Sequence, residues 1–109
     1  MKRLNIALFG VLVLLAINTA SAGDPAAGKE KSATCAACHG ADGNAPTPAF
    51  PSLAGQYADY LLQALKEYKS GKRNNPIMAG QVAALTDVDM ENLAAYFAEQ
   101  KGLIAIDIE

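Results

Sequence analysis

Five consecutive residues constrain this chain more than any others: Cys35-Ala36-Ala37-Cys38-His39. Two thiols three positions apart, with an imidazole directly after the second, form the Cys-x-x-Cys-His pattern by which a chain attaches a c-type haem. On one helical turn both sulfurs face a single porphyrin edge, where they can add to the two vinyl groups. His39 is then carried beneath the iron as its proximal ligand. Other chemistries fit less well. A closed zinc site takes about four N or S ligands, and the chain holds only two Cys and one His. A thioredoxin-like dithiol belongs in a βαβ context, and no strand pattern is visible. A structural disulfide has no use for the adjacent His.

The N-terminus has its own logic. Met1-Lys2-Arg3 is a short basic region, and Leu4 to Ile17 is apolar except at Asn5 and Gly10. Asn18-Thr19-Ala20-Ser21-Ala22 then places small residues where a signal peptidase reads. Residues 1–22 are therefore expected to be a secretory signal peptide cleaved after Ala22. The competing reading is an uncleaved anchor, but the apolar run is shorter than the ~20 residues that span a bilayer. A single Arg in the leader does not indicate a twin-Arg export route. The expected destination is the periplasm, with no membrane span once the leader is removed.

Removing 22 of the 109 residues leaves 87, residues 23–109, enough for one small domain. A chain this short buries a modest core and often needs a staple. There is no Trp, and only four Tyr and three Phe, so a covalently held apolar disc would supply much of the interior. Without Lys2 and Arg3, seven of the nine basic residues face eleven acidic ones, a net charge of −4. That balance gives no reason to expect nucleic-acid binding.

The pattern predicts an all-α chain with three main helices. Asp24 and Pro25 start the first, as cap and first helical residue, and it runs to about Cys38. Gly28 lies inside it, where close approach of another helix and simple tolerance near a helix end account for it equally. Gly40 can end it in a left-handed conformation. Ala41 to Pro51 carries three prolines and suits one wall of a haem crevice. A carbonyl near Pro48 or Pro51 is the expected partner for the second nitrogen of His39, and Phe50 is expected to pack in the core or on the haem. The second helix covers about 56–70, with Tyr57, Leu61, Ala64, Leu65 and Tyr68 as an apolar stripe and Tyr60 beside it. A tyrosine hydroxyl from this stripe can reach a haem propionate. Lys66, Lys69, Lys72 and Arg73 cluster at its end, which the helix dipole and a docking patch explain equally. Residues 74–80 read as irregular. Thr86 caps a last helix over about 87–100, with Met90, Leu93, Ala94 and Phe97 on its apolar face.

An iron with one His needs a sixth ligand or an open site. No second His exists, and Met1 leaves with the leader. Met90 lies on a packed helical face and Met78 on a freer segment, so Met78 is the favoured distal ligand. A His/Met pair raises the potential relative to harder ligand sets, which suits an electron carrier.

Three strings carry a family resemblance: Cys35-Ala36-Ala37-Cys38-His39-Gly40, Pro51-Ser52-Leu53-Ala54-Gly55-Gln56 and Leu93-Ala94-Ala95-Tyr96-Phe97. In this order the chain resembles the class I c-type cytochromes, in particular the short bacterial monohaem members and one half of the dihaem cytochrome c-four type. The resemblance implies a small cytochrome c fold around one covalent haem, with the first and last helices crossing. It implies Gly28 against Tyr96 or Phe97, and Met78 as the distal ligand. Ser32 departs from the pattern, since many members carry a bulky residue there.

The expected function is single-electron transfer between respiratory or other redox enzymes, a carrier rather than an enzyme. Both Cys and the only His are consumed by one haem, which leaves no obvious nucleophile. The alternatives are a haem subunit of a larger oxidoreductase complex, and an open-site haem enzyme or gas sensor. Peroxidase-type chemistry would want distal polar groups, and Arg73 is the only Arg beyond the leader.

Overall fold

A computed structural model describes residues 23–102, together with 2, 3, 5, 7 and 10–13. The expected leader and its cleavage site lie largely outside the described residues, as does the end of the chain from residue 103. The described residues form five helices and no strand: α1 Pro25–Lys31, α2 Ala33–His39, α3 Ala58–Ser70, α4 Pro76–Val82 and α5 Asp87–Glu99. No helix among them is long and apolar enough to cross a membrane.

Two of the five were not expected as separate elements. The first helix is interrupted at Ser32, whose amide and hydroxyl both donate to the Lys29 carbonyl, at 3.2 and 2.7 Å. This tightens one turn, and the helix resumes when the Ala36 amide bonds Ser32 at 2.9 Å. Residues 76–80, expected to be irregular, are helical. Asn75 accepts from the amides of Ile77 and Met78, and Pro76 opens α4, the cap-and-proline start that begins α1 as well.

The crossing of α1 and α5 is set by Gly28, which is buried. A Cβ built there would lie 2.0 Å from the Asn92 carbonyl oxygen and 2.9 Å from the Tyr96 Cβ. The aromatic expected against Gly28 is therefore Tyr96. The same crossing is held at its end by the Asp24 amide, which donates to the Asn92 side chain at 2.7 Å.

Helix α5 packs on α1 and α3, and α4 packs on α3. The core cluster is Leu61, Leu93, Ala94, Tyr96 and Phe97, with Met90 and Val82 almost wholly buried. Thr86 and Asp89 form a reciprocal capping box at the start of α5. The Thr86 amide holds the Asp89 carboxyl below the ordinary carboxylate range. The box is thus complete at neutral pH and is lost as pH falls through that lowered value. The expected tyrosine stripe is only partly core. Tyr57 precedes α3 as its N-cap and is exposed, because the helix starts at Ala58, two residues later than expected.

Gly28→Ala should cost about 3 kcal/mol, the upper part of the overpacking range, since the new methyl meets backbone. Gly80→Ala is the contrast. No atom lies within 4 Å of a Cβ there, and the change should add ~0.5–1 kcal/mol through helix propensity. Urea unfolding midpoints of the two variants measure both effects.

Candidate functional site

Helix α2 brings Cys35 and Cys38 onto one face, three residues apart, as half-buried free thiols. Burial pushes the Cys35 thiol above its ordinary value. His39 is the last residue of α2 and is itself buried. The chain then turns at Gly40. Its φ is positive at 85°, but its ψ of 152° keeps it outside the left-handed helical conformation expected there. A side chain would collide with the Asn44 carbonyl, 2.1 Å from an added Cβ.

The segment from Ala41 to Gln56 folds back over His39 and is tied down along its length. The amides of Leu53 and Ala54 both donate to the Gly43 carbonyl, at 2.6 and 3.1 Å, and the Gly55 amide donates to Phe97 at 3.0 Å. The Tyr96 hydroxyl donates to the Ala41 carbonyl at 2.9 Å, and the Asn44 side-chain amide to Lys101 at 2.8 Å. Held in this way, the segment presents the Pro51 carbonyl to His39 Nδ1 at 2.7 Å. A carbonyl can only accept, so Nδ1 carries the proton and Nε2 keeps its lone pair. Pro51 is one of the two prolines expected to supply such a carbonyl. Phe50 stands edge-on to the imidazole, ring centres 6.4 Å apart, and is 37% exposed; it is a cavity wall rather than core.

Cys35, Cys38 and His39 all line one cavity of about 440 Å³, within the ~300–1,000 Å³ of small-molecule and cofactor sites. Leu61, Ala64 and Leu65 of α3 and Leu93, Ala94 and Phe97 of α5 supply apolar walls. Met78 of α4 lines the same cavity. Met90 does not and is 1% exposed, in the core. The four residues expected at the site therefore share one hollow. Arg73, Tyr60 and Tyr68 also line it. In the sequence Arg73 falls in a cluster of cations at a helix end, with nothing to place it at the cavity. The signal that it turns inward is Gly71, whose left-handed φ of 81° wraps the chain back over α3.

The fit to an iron porphyrin rests on this chemistry: an imidazole whose outer nitrogen is already occupied, two thiols on the adjoining turn, a thioether, and otherwise apolar walls. Such a site defines a c-type haem protein. Comparison with known proteins agrees. The cytochrome c family matches residues 25–101. Cytochrome c4 of Pseudomonas aeruginosa is 50% identical over 101 residues, covering 93% of this chain and 50% of that protein. Cytochrome c-554(548) of Halomonas halodenitrificans is 43% identical over 83 residues, covering 73% of this chain and 100% of that protein. The crystal structure of reduced recombinant cytochrome c4 from Pseudomonas stutzeri superposes with a TM-score of 0.72 at 47% identity, covering 76% of this chain and 48% of that one. The chain spans about half the length of the cytochromes c4 that it matches. It belongs to the cytochrome c family, and its cofactor is covalently bound haem c.

The Asn75 side chain accepts from Ile77 and Met78 amides, each at 3.1 Å, and so fixes the start of the helix that carries Met78. Asn75→Ala should cost about 1 kcal/mol, as loss of such a cap does. Thermal melts followed at the haem band, with far-ultraviolet circular dichroism in parallel, should show the Met78 side loosening before the helices unfold.

Proposed function

We propose that this chain is a one-electron carrier. Cys35 and Cys38 hold the haem through thioether bonds, His39 Nε2 is the proximal iron ligand, and Met78 is the distal one. The observation that carries this reading is that all four side chains open onto one largely apolar cavity, while the other candidate, Met90, is committed to the core. The bound haem supplies a metal centre that gains and loses a single electron.

The protein's part follows from its own residues. The Pro51 carbonyl fixes the imidazole's tautomer and plane and makes Nε2 a better donor. A soft thioether from Met78 would favour the reduced state, and with His39 and Met78 both holding the iron little would need to rearrange as the electron moves. Leu61, Ala64, Leu93 and Phe97 keep water from the buried side. With both thiols and the only imidazole engaged, no thiol and no His acid or base remains at the site. The partners are other redox proteins, which need only a small transient interface. Residues 1–22 act as an export signal removed after Ala22, which places the carrier in the periplasm, where the thioether bonds are made.

Two measurements test this. Acidified acetone should leave the red pigment with the protein; pigment in the acetone layer would overturn thioether attachment. At neutral pH the ferrous protein should resist carbon monoxide, and Met78→Ala should bind it readily with loss of the low-spin spectrum. Ready uptake by the unaltered protein would overturn the carrier reading in favour of an open-site enzyme or sensor. A low-spin spectrum that survives Met78→Ala would overturn the ligand assignment.

A further inference from the structure

One side chain belongs to two hollows. Tyr60 lines the cavity and also an open groove on the outside of the molecule at the start of α3, where Tyr57, Asp59 and Gln63 are the other walls. No other described residue lines both. The Tyr60 ring is thus a partition, with the cavity on one side and the groove on the other.

The groove is an unusual surface for this chain. Tyr57 is 76% exposed and Tyr60 48%, although only four Tyr and three Phe are available to the whole chain. Large side chains exposed together, with polar residues at their rim, mark a contact surface. The polar groups select what it contacts. Asp59 is the groove's one formal charge. The Tyr60 amide takes one of its oxygens at 2.9 Å, and Asp59 joins neither ion pair among the described residues. The Gln63 side-chain amide is spent on Glu67 at 2.9 Å, which leaves the Gln63 oxygen, an acceptor. Two aromatic rings, a carboxylate and an amide oxygen all favour a cation. The start of α3 opposes one with roughly half a positive charge, less than the full negative charge of Asp59. Arg73 lines the cavity but not the groove, and its Nε is paired with Glu67. A second copy of this chain fits poorly. With the leader removed it is acidic overall, and a two-fold contact centred on the groove sets Asp59 against Asp59.

We infer that this groove receives a lysine or arginine side chain of a redox partner protein, and that the Tyr60 ring is the bridge between that partner and the cavity. The inference rests on the carrier reading above. An aromatic ring in place of water shortens the gap that the electron crosses without itself gaining or losing one. Asp59 and Tyr57 hold the partner, and Tyr60 both holds it and conducts.

The test uses a small cation with aromatic faces, tris(phenanthroline)cobalt(III), as oxidant of the reduced, covalently loaded protein, followed at the haem absorption bands. One electron leaves the protein and reduces cobalt(III) to cobalt(II), and no proton moves. At low salt Asp59→Asn should lower the second-order rate constant severalfold, an effect that fades as salt screens the charge. Tyr60→Leu should lower it severalfold, and Tyr60→Phe, which keeps the ring, should restore it. Asp87→Asn makes the same change of net charge at the start of α5 and should leave the rate close to that of the unaltered protein. Midpoint potentials measured in parallel correct each rate for driving force. Binding is read without electron transfer by adding redox-inert, paramagnetic hexaamminechromium(III) to the reduced protein. The amide resonances of Tyr57, Asp59, Tyr60 and Gln63 should broaden first, and Asp59→Asn should abolish that preference.

Broadening centred elsewhere overturns the proposal, as does an Asp59→Asn rate no lower than that of Asp87→Asn, or a Tyr60→Phe rate as low as that of Tyr60→Leu. Resonances at the groove that shift with protein concentration alone overturn it in favour of a second copy. If Tyr60→Leu fails to mature, Tyr57→Leu and Asp59→Asn decide the matter, and unchanged rates in both overturn it. Failure of the carrier reading is separately visible, as unaltered protein without a retained low-spin haem before any oxidant is added.

Discussion

The hydrogen bond between His39 Nδ1 and the Pro51 carbonyl is the contact on which the site depends, and most of the fold serves to make it. A histidine at the end of a seven-residue helix would otherwise be free to turn its ring and exchange its proton between nitrogens. The carbonyl removes both freedoms. It is itself in place only because the segment before α3 is tied to Gly43, to Phe97 and, through Tyr96 and Asn44, to the far end of the chain. Those ties reach α5, and α5 is located by the crossing at Gly28. A backbone contact remote from the cavity thus fixes the plane of the imidazole.

This arrangement explains which parts were legible in the amino-acid order and which were not. The Cys35 to His39 run is chemistry at fixed local spacing, so it can be read without coordinates. The caps at Asp24 and Thr86 are equally local. Gly28 was ambiguous as a letter and became informative only when the resemblance set it against a particular helix. Helix α4 was missed because Gly80 looked like punctuation. In the fold Gly80 has open space around it, and the Asn75-Pro76 start outweighs its poor propensity. Tyr57 was misplaced because α3 starts only at Ala58. Arg73 was read as one more cation at a helix end because the inward turn depends on the φ of Gly71, a backbone property that no side-chain pattern announces.

The cavity and the core are the same surface seen from two sides. Leu61, Leu93, Ala94 and Phe97 belong to the packed cluster and also line the hollow. With no Trp and few aromatics, the side chains alone enclose little volume, and the haem completes a core that this short chain cannot build by itself. Unfolding then exposes the haem without releasing it, because the thioether bonds outlast the fold. Covalent attachment suits such a design, because a group that completes the interior cannot be left to exchange with solvent.

The distribution of charge follows from the same constraint. A centre that changes charge by one unit on every turnover must sit where its two states are separated by a useful but limited free energy. Apolar walls strengthen every electrostatic effect inside them, so a single ion near the cavity acts with more force than several on the open surface. Arg73 stands at the cavity wall with Glu67 paired to its Nε, so the one formal charge among the lining residues is partly balanced by a carboxylate outside them.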